Sequence, residues 1–367
     1  MLETLDAIPW SELSHANGSA EDVPDLLRAL QTPPDADDDE PPLWQLFGNI
    51  YHQGTVYEAT AYAVPFLIEL VADPQTPERV GILQLLSSIA HDPHADHGHT
   101  HNESRSSQQL AREREWVSKA RASVAQGLDL FIAMTREGSD ISLNAAHVLA
   151  QFPERVEVVA PILHSLLERE TSNTARAGLL LLLSNLGDRS QATVDAMERG
   201  LNANNIPERR AATILAVQLN NGPLPPDVTE AIVEAIKADD LDKAFEGIPW
   251  DMAEHLEIED LAERLDYDTQ VAIAAWIVAT IEDSTSTTGA VSYLIDFLFP
   301  RSSGKRVQAD ELSELQLRAV CAIAASKNRG RRVFYQHFPT WGLPDTQNEW
   351  NNLATACEAL LLRRRIS

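Results

Sequence analysis

The sequence predicts an all-α protein, arranged as a right-handed α-solenoid in which antiparallel helix pairs stack into a superhelix. Two observations predict the helical class: glycine is scarce, with 16 in 367 residues, and runs of alternating polar and apolar residues are nearly absent. A third observation predicts the stacking. Pairs of small residues recur at spacings of 32 and 34 residues, the length of one helical repeat, at Ala145-Ala146, Ala177-Gly178 and Ala211-Ala212.

The stretch from Trp44 to Val71 predicts two helices joined by a tight corner. Gly54 stands where a helix C-cap glycine belongs, and the segment Thr55–Glu58 predicts a capping box that starts the second helix. Pro65 lies inside the second helix and predicts a kink, because proline removes one backbone donor. A similar proline occurs at Pro161, three 32-residue units later.

The chain divides into a regular part and a less regular part. Residues 1–240 predict the helical-repeat solenoid, and residues 241–367 predict further helices that continue it. Within the first part, residues 31–42 predict an exposed loop, because prolines flank an acidic centre, and residues 91–103 predict a polar, histidine-rich loop. A long helical stretch follows this second loop and is weakened at Gly127.

Two of the repeated helices carry a further pattern. Arg176 and Arg210 each precede the small pair, in ARAGLLLLLSNLG and RRAATILAVQL, and the partner helix before the first of these, VEVVAPILHSLLERE, contains a proline. This alternation resembles HEAT repeats, and the resemblance covers roughly residues 22–238. The segments around SAEDVP and HQGTVYEATAYAVPFL also resemble a group of bacterial HEAT-repeat proteins. The resemblance implies a solenoid of the HEAT/armadillo type and implies no particular activity.

The charge and the hydropathy of the chain limit the class of binding partner and the cellular location that we expect. The formal net charge of −26 argues against binding to nucleic acid phosphates and favours a basic protein partner. The longest apolar runs are too short to cross a bilayer, and the N-terminus lacks the basic start and apolar core of a signal peptide. We therefore expect a cytoplasmic protein without a membrane partner. Cys321 and Cys357 lie in apolar helical contexts, which predicts buried free thiols.

The histidine-rich loop is a candidate metal site. Five histidines fall within eleven residues, namely His91, His94, His97, His99 and His101. Two aspartates lie among them. Imidazole and carboxylate at such spacing can ligate zinc, nickel or copper. A solvated loop without a metal is the competing interpretation, because no helix fixes the geometry of these side chains.

The corner between the first two helices is a candidate protein-binding site. Tyr51, His52 and Gln53 are more polar than a plain helical turn requires, and Tyr62 follows nearby. Structural roles compete with this interpretation: His52 suits a buried hydrogen bond at a helix end, and the tyrosines suit packing at the edge of the core.

The sequence offers no catalytic signature. It lacks the GxSxG, HExxH, CxxC, Walker and GxGxxG motifs. We therefore expect a non-catalytic scaffold or adaptor that binds another protein through the concave surface of the solenoid. Two alternatives stay open. One is an immunity-type inhibitor of a basic toxin or nuclease. The other is a HEAT-like enzyme of the DNA glycosylase or bilin lyase type, which the family resemblance allows.

Overall fold

A computed structural model describes most of the chain. The described residues are 2–35, 40–91, 107–238, 244–248, 261, 264–280, 295, 297–299, 306–325, 338–344 and 346–366. Nearly all regular structure in these residues is helical, which confirms the predicted all-α class. The exceptions there are two hairpins with two residues per strand, β1 (Ser14–His15) with β2 (Gly18–Ser19) and β3 (Tyr51–His52) with β4 (Thr55–Val56).

The α-helices are numbered in chain order. The first nine are α1 (Val23–Ala29), α2 (Pro42–Ile50), α3 (Thr60–Ala72), α4 (Arg79–Ala90), α5 (Ser107–Ala125), α6 (Leu128–Met134), α7 (Ser139–Ala150), α8 (Val156–Arg169) and α9 (Asn173–Leu186). The others are α10 (Gln191–Leu201), α11 (Ile206–Leu219), α12 (Pro226–Ala238), α13 (Tyr267–Thr280), α14 (Glu314–Ala325) and α15 (Gln347–Ile366). The predicted weak point at Gly127 is the break between α5 and α6.

The chain forms two compact units. The first comprises Met1–Ala196 with Gly247–Asp251, and the second comprises Met197–Glu246 with Met252–Ser367. The boundary between them falls inside α10. The predicted change after residue 240 concerns the regularity of the repeats, and it stays a prediction.

In the first unit, helices adjacent in the chain pack together, and so do helices two or three positions apart. α3 packs against α4 and α5, α4 packs against α7, and α7 packs against α8 and α9. Ala145 and Ala146 of α7 and Ala177 of α9 have no exposed surface. Since small side chains allow helix axes to approach closely, the repeated small pairs mark the points where these helices meet in the core.

The ends of α9 follow from its sequence. The Ser172 hydroxyl accepts a hydrogen bond from the Ala175 amide at 3.4 Å, which caps the N-terminus. Gly187 ends the helix in the left-handed region, at φ +68°, and its amide donates to the Ser184 carbonyl at 2.9 Å. Sequence rules for helix termini therefore hold for this element.

Pro65 is accommodated by a neighbouring helix. It is the sixth residue of α3, as Pro161 is of α8. Because proline has no backbone N–H, the carbonyl of Ala61 loses its usual intrahelical donor. The Ser123 hydroxyl of α5 donates to that oxygen at 3.2 Å. Helix α3 thus continues on both sides of the proline, and the bond ties it to α5.

The second unit is held by sequential helix contacts. α11 packs against α12, α12 and α14 pack against α13, and α14 packs against α15. Arg210 of α11 is buried, and its Nη2 lies 3.7 Å from Glu234 Oε1 of α12. Both cysteines are free thiols; Cys357 is buried as predicted, and Cys321 is half-buried. Burial, with a smaller contribution from Cys321, raises the pKa of the Cys357 thiol to about 12.

Candidate protein-binding face

The corner after α2 is a β-hairpin, and the predicted helix C-cap at Gly54 is wrong. Tyr51 pairs with Val56 and His52 pairs with Thr55, so α2 ends at Ile50. The turn residues Gln53 and Gly54 both have positive φ, +48° and +78°. Two successive left-handed residues produce the tight turn whose twist matches a hairpin, whereas a helix cap requires only one.

The predicted capping box of Thr55 with Glu58 is also wrong, because α3 begins later, at Thr60. The Thr60 hydroxyl donates to the Ile50 carbonyl at 2.6 Å and accepts from the Tyr57 amide at 2.8 Å. Glu58 accepts a hydrogen bond from the Ser14 hydroxyl at 3.1 Å. The start of α3 is therefore fixed to the end of α2 and to the first hairpin.

The exposed side of α2 carries an aromatic stripe. Trp44 and Phe47 lie three residues apart on one side of α2, and Tyr51 follows the helix end in extended conformation. Trp44 is 67% exposed, and the other two are half-buried. The rings of Phe47 and Tyr51 meet edge to face, with centroids 6.4 Å apart and planes at 79°. This contact holds the two rings in a favoured aromatic geometry.

We define the hairpin face as this stripe together with Gly48 of α2 and the hairpin residues His52 and Gln53. Residues 41–57 contain no Asp, Glu, Lys or Arg, although 23% of the chain is charged. The preceding residues 35–40 contain five acids, of which Asp35 and Glu40 are described and exposed. An uncharged aromatic surface thus directly follows an acidic segment of the chain.

The structure brings together three of the four predicted binding residues. Tyr51, His52 and Gln53 belong to the same hairpin, where His52 and Gln53 are exposed. Tyr62 lies on α3, is 44% exposed, and is close enough to Lys119 of α5 to interact with its charge. The prediction omitted Trp44, Phe47 and Gly48. The uncharged run at 41–57 in an acidic chain is the sequence signal that identifies them.

A polar network supports the hairpin face from beneath. The buried Asn49 side chain of α2 donates to Asp22 Oδ2 and accepts from Asn17 Nδ2, each at 2.8 Å. The buried His15 lies 3.0 Å from the other Asp22 oxygen. These bonds connect α2 to the first hairpin and to the start of α1, so the face rests on a braced scaffold.

The network leaves His15 no basic nitrogen for proton transfer. The Asn17 amide donates to His15 Nδ1 at 2.9 Å, so Nε2 carries the ring proton and donates to Asp22. A general base needs an unoccupied nitrogen directed at a substrate. The His15–Asp22 pair is therefore a structural connection, despite its likeness to part of a catalytic triad.

A second histidine–aspartate pair has a similar structural role. His164 of α8 lies 3.3 Å from Asp188 Oδ2, and the same oxygen accepts hydrogen bonds from the hydroxyls of Ser190, at 2.7 Å, and Thr193. Burial of Asp188 opposes its ionisation, but the donated hydrogen bonds outweigh burial and hold the pKa of Asp188 below its usual value. The carboxylate joins α8 to the start of α10.

The candidate metal site falls mostly outside the described residues. His94, His97, His99 and His101 lie there, and only His91 can be placed. His91 follows α4, and its Nδ1 lies 3.3 Å from Gln151 Oε1 of the α7 C-terminus. Within the described ranges, no group of three or more His, Cys, Asp or Glu side chains could hold a metal ion.

An open groove of about 460 Å³ lies between α5 and the turn after α7. Arg121 is the main charged side chain of this groove. Its guanidinium lies 4.6 Å from the centroid of the Phe152 ring. It also donates a hydrogen bond to the Ala90 carbonyl at 2.6 Å and forms an ion pair with Glu154 at 3.0 Å. The guanidinium is thus engaged in structural contacts, with its charge balanced by Glu154, and the groove offers less to a ligand than the hairpin face.

Comparison with protein-family models, curated proteins and solved structures finds no match for this chain. The likeness to HEAT repeats therefore rests on the sequence motifs alone. No helix in the described part of the chain is both long enough and apolar enough to cross a membrane.

Proposed function

We propose that this protein is a non-catalytic scaffold or adaptor that binds a basic protein partner, and that its helices form a right-handed, HEAT-like α-solenoid. Support for the solenoid comes from the first unit, where α4, α7 and α9 contact one another in series and α3 contacts α5. Packing between equivalent helices of successive pairs is the feature that stabilises repeat proteins.

The hairpin face is the observation that carries the binding proposal. Single exposed apolar side chains are common, but interface cores are enriched in aromatic residues and depleted of charge. The hairpin face has both properties, with Trp44 67% exposed and no formal charge across residues 41–57. We place the contact at this face, in addition to the concave surface that a solenoid would offer.

The charge of the chain supports a basic partner. A net charge of −26 attracts cationic surfaces over a distance that salt shortens, from about 8 Å at 0.15 M to about 3 Å at 1 M. The acids at 35–40 place part of that charge next to the hairpin face in sequence. Electrostatic attraction of this kind raises association rates, while the aromatic contact limits dissociation.

Affinity capture with quantitative mass spectrometry tests the proposal. Purified wild-type chain, a Trp44→Ala variant and a Tyr267→Ala control would be exposed to a bacterial extract at 0.05 and 0.5 M NaCl. Tyr267 is a suitable control because it is an aromatic residue of the second unit with 71% exposure. We expect a protein of high isoelectric point that is retained by wild type and the control at low salt and lost with Trp44→Ala.

Direct titration of the captured protein then decides the matter. Its affinity for wild type should fall as salt rises, and Trp44→Ala should weaken it by roughly 2 kcal/mol or more, as for an interface hot spot. Capture of only acidic or neutral proteins, or equal affinity for wild type and Trp44→Ala, would count against the proposal.

A further inference from the structure

The hairpin face contains a notch at Gly48. This glycine is helical and half-buried, and a Cβ atom built on it meets no atom within 4 Å. Trp44 lies one turn before it on the same side of α2, Phe47 is adjacent, and Tyr51 follows the end of the helix in extended conformation. The missing side chain therefore leaves an open position on the surface of α2 beside these aromatic residues.

We infer that this notch receives an apolar side chain from a basic amphipathic helix of the partner, an inference that rests on the proposed function. The stripe runs from Trp44 of α2 to the extended residue Tyr51 just past the helix end, which is roughly 10 Å along the helix axis. The same distance separates positions i and i+7 of a partner helix. A side chain at i+3 or i+4 of that helix would then lie over Gly48, as a ridge enters a groove in helix packing.

An extended partner fits this surface less well. Strand addition requires a sheet edge with unpaired backbone groups, and β3 and β4 supply two residues each. The backbone of α2 is occupied by its own helical hydrogen bonds and presents only side chains. Recognition must therefore depend on side-chain packing along α2, which favours a helix with apolar residues at i, i+3 or i+4, and i+7.

Charge favours a heterologous basic helix over a second copy of this chain. In a symmetric dimer formed through the hairpin face, two copies of the same acidic chain would meet. The net charge of −26 on each copy would add to the repulsion. A helix whose flanks carry Lys and Arg would be attracted by this negative charge instead, while its apolar stripe covers the exposed side of α2.

The surface is also pre-organised. Phe47 and Tyr51 fix each other through their edge-to-face contact, and Asn49 on the opposite side of α2 is held by Asp22 and Asn17. A rigid surface loses little conformational entropy on binding. Trp44 is the remaining large side chain to be ordered by the partner.

Selection from a displayed library of random 16-residue peptides tests the inference without assuming a charge. The full chain would be the target, with counter-selection on a Gly48→Leu variant whose notch is filled. Since a Cβ at Gly48 meets no atom and leucine favours helices, this variant is expected to fold like the wild type. Circular dichroism and thermal unfolding would verify that expectation before use.

We expect enriched peptides with apolar residues at i, i+3 or i+4, and i+7, and with a surplus of Lys and Arg. Their affinity, measured by fluorescence anisotropy, should fall about 30-fold with Trp44→Ala and at least about tenfold with Gly48→Leu. The Tyr267→Ala control should bind like the wild type. Binding should also weaken between 0.05 and 0.5 M NaCl.

Four outcomes would overturn the inference, and the last of them concerns dimerisation. The first is enrichment of peptides without a basic surplus, and the second is a failure to enrich any peptide on the wild type. The third is basic peptides that bind Gly48→Leu and Trp44→Ala as tightly as the wild type. In the third case, salt-dependent binding would survive, so the proposed basic partner would stand while the docking site would not. Concentration-dependent dimerisation of the wild type that Trp44→Ala abolishes would instead assign the face to a second copy.

Discussion

Replacing each of two glycines, six residues apart, by alanine should change the stability of the protein in opposite directions. Gly48 lies in helical conformation inside α2, and Gly54 is the second turn residue of the β3–β4 hairpin, at φ +78°. A Cβ built at either position meets no atom within 4 Å. Replacement by alanine therefore adds a methyl group without a clash in both cases, and the difference between the two variants isolates the backbone conformation.

The expected magnitudes follow from helix propensity and from the left-handed conformation. Alanine is favoured over glycine inside a helix by about 1 kcal/mol, so Gly48→Ala should stabilise the first unit by up to that amount. An L-residue in the left-handed region costs about 1–2 kcal/mol, so Gly54→Ala should destabilise it. The loss of unfolded-state freedom is the same for both substitutions and cancels in the comparison. The two variants should thus differ by about 2 kcal/mol or more.

Urea unfolding of both variants, combined with hydrogen exchange of peptides covering residues 43–72, measures this difference. Exchange in that segment should slow in Gly48→Ala and accelerate in Gly54→Ala, because its protection reports the local opening free energy. If both variants shift in the same direction, the assignment of a helix at Gly48 and a left-handed turn at Gly54 is refuted.

Three further predictions concern the contacts that hold the first unit together. Asp188→Asn should make stability less dependent on acid pH. Because the folded-state pKa of Asp188 is lowered, its carboxylate stabilises the fold above the unfolded pKa of about 3.9, and this stabilisation is lost as pH falls through the folded-state pKa. Between about pH 5 and pH 2, the urea midpoint should therefore fall more for wild type than for the variant. Arg121→Met should lower the free energy of unfolding in urea by about 2 kcal/mol, because it removes the hydrogen bonds to the Ala90 carbonyl and to Glu154. Glu154→Gln should lower it less, and equal losses for the two variants would contradict this prediction. Asn49→Ala should cost about 1–3 kcal/mol and speed exchange in residues 14–19, whereas unchanged exchange there would show that the buried network does not brace the first hairpin.

Local sequence signals located the helices because those signals depend on neighbouring residues alone. The predicted break at Gly127 requires only a few adjacent positions, as do the cap at Ser172 and the end at Gly187 that the structure shows. The repeated small pairs also identified buried positions, since Ala145 and Ala177 have no exposed surface. These features could be read without knowledge of the tertiary fold.

The corner after α2 shows where such local reasoning fails. The residues around Gly54 satisfy the rules for a helix cap as well as those for a two-residue hairpin turn. What separates them is the conformation of Gln53, which is left-handed at φ +48°, and the anchoring of Thr60 to the Ile50 carbonyl. The Thr60 bond depends on α3 returning to the end of α2, so a sequence pattern that fits a capping box belongs to a hairpin in the structure.

The sequence identified only part of the candidate site, again because local pattern does not reveal tertiary contacts. Polar residues at 51–53 marked the hairpin in the sequence, but an aromatic residue on an amphipathic helix is as consistent with a core position as with an exposed one. Only burial separates Trp44, 67% exposed, from Leu46, which is fully buried two positions later. Exposure is a property of the packed molecule, and periodicity within nine residues cannot supply it.

The sequence by itself determined the helical class, the positions of most helices, the acidic charge and the uncharged run at 41–57, because each depends on composition or short-range pattern. The tertiary structure decided which face of α2 is exposed and how Pro65 is tolerated. It also decided that His15 and Asp22 form a brace rather than a catalytic pair. Each of these depends on partners distant in sequence, such as Ser123 donating to the Ala61 carbonyl across 62 residues.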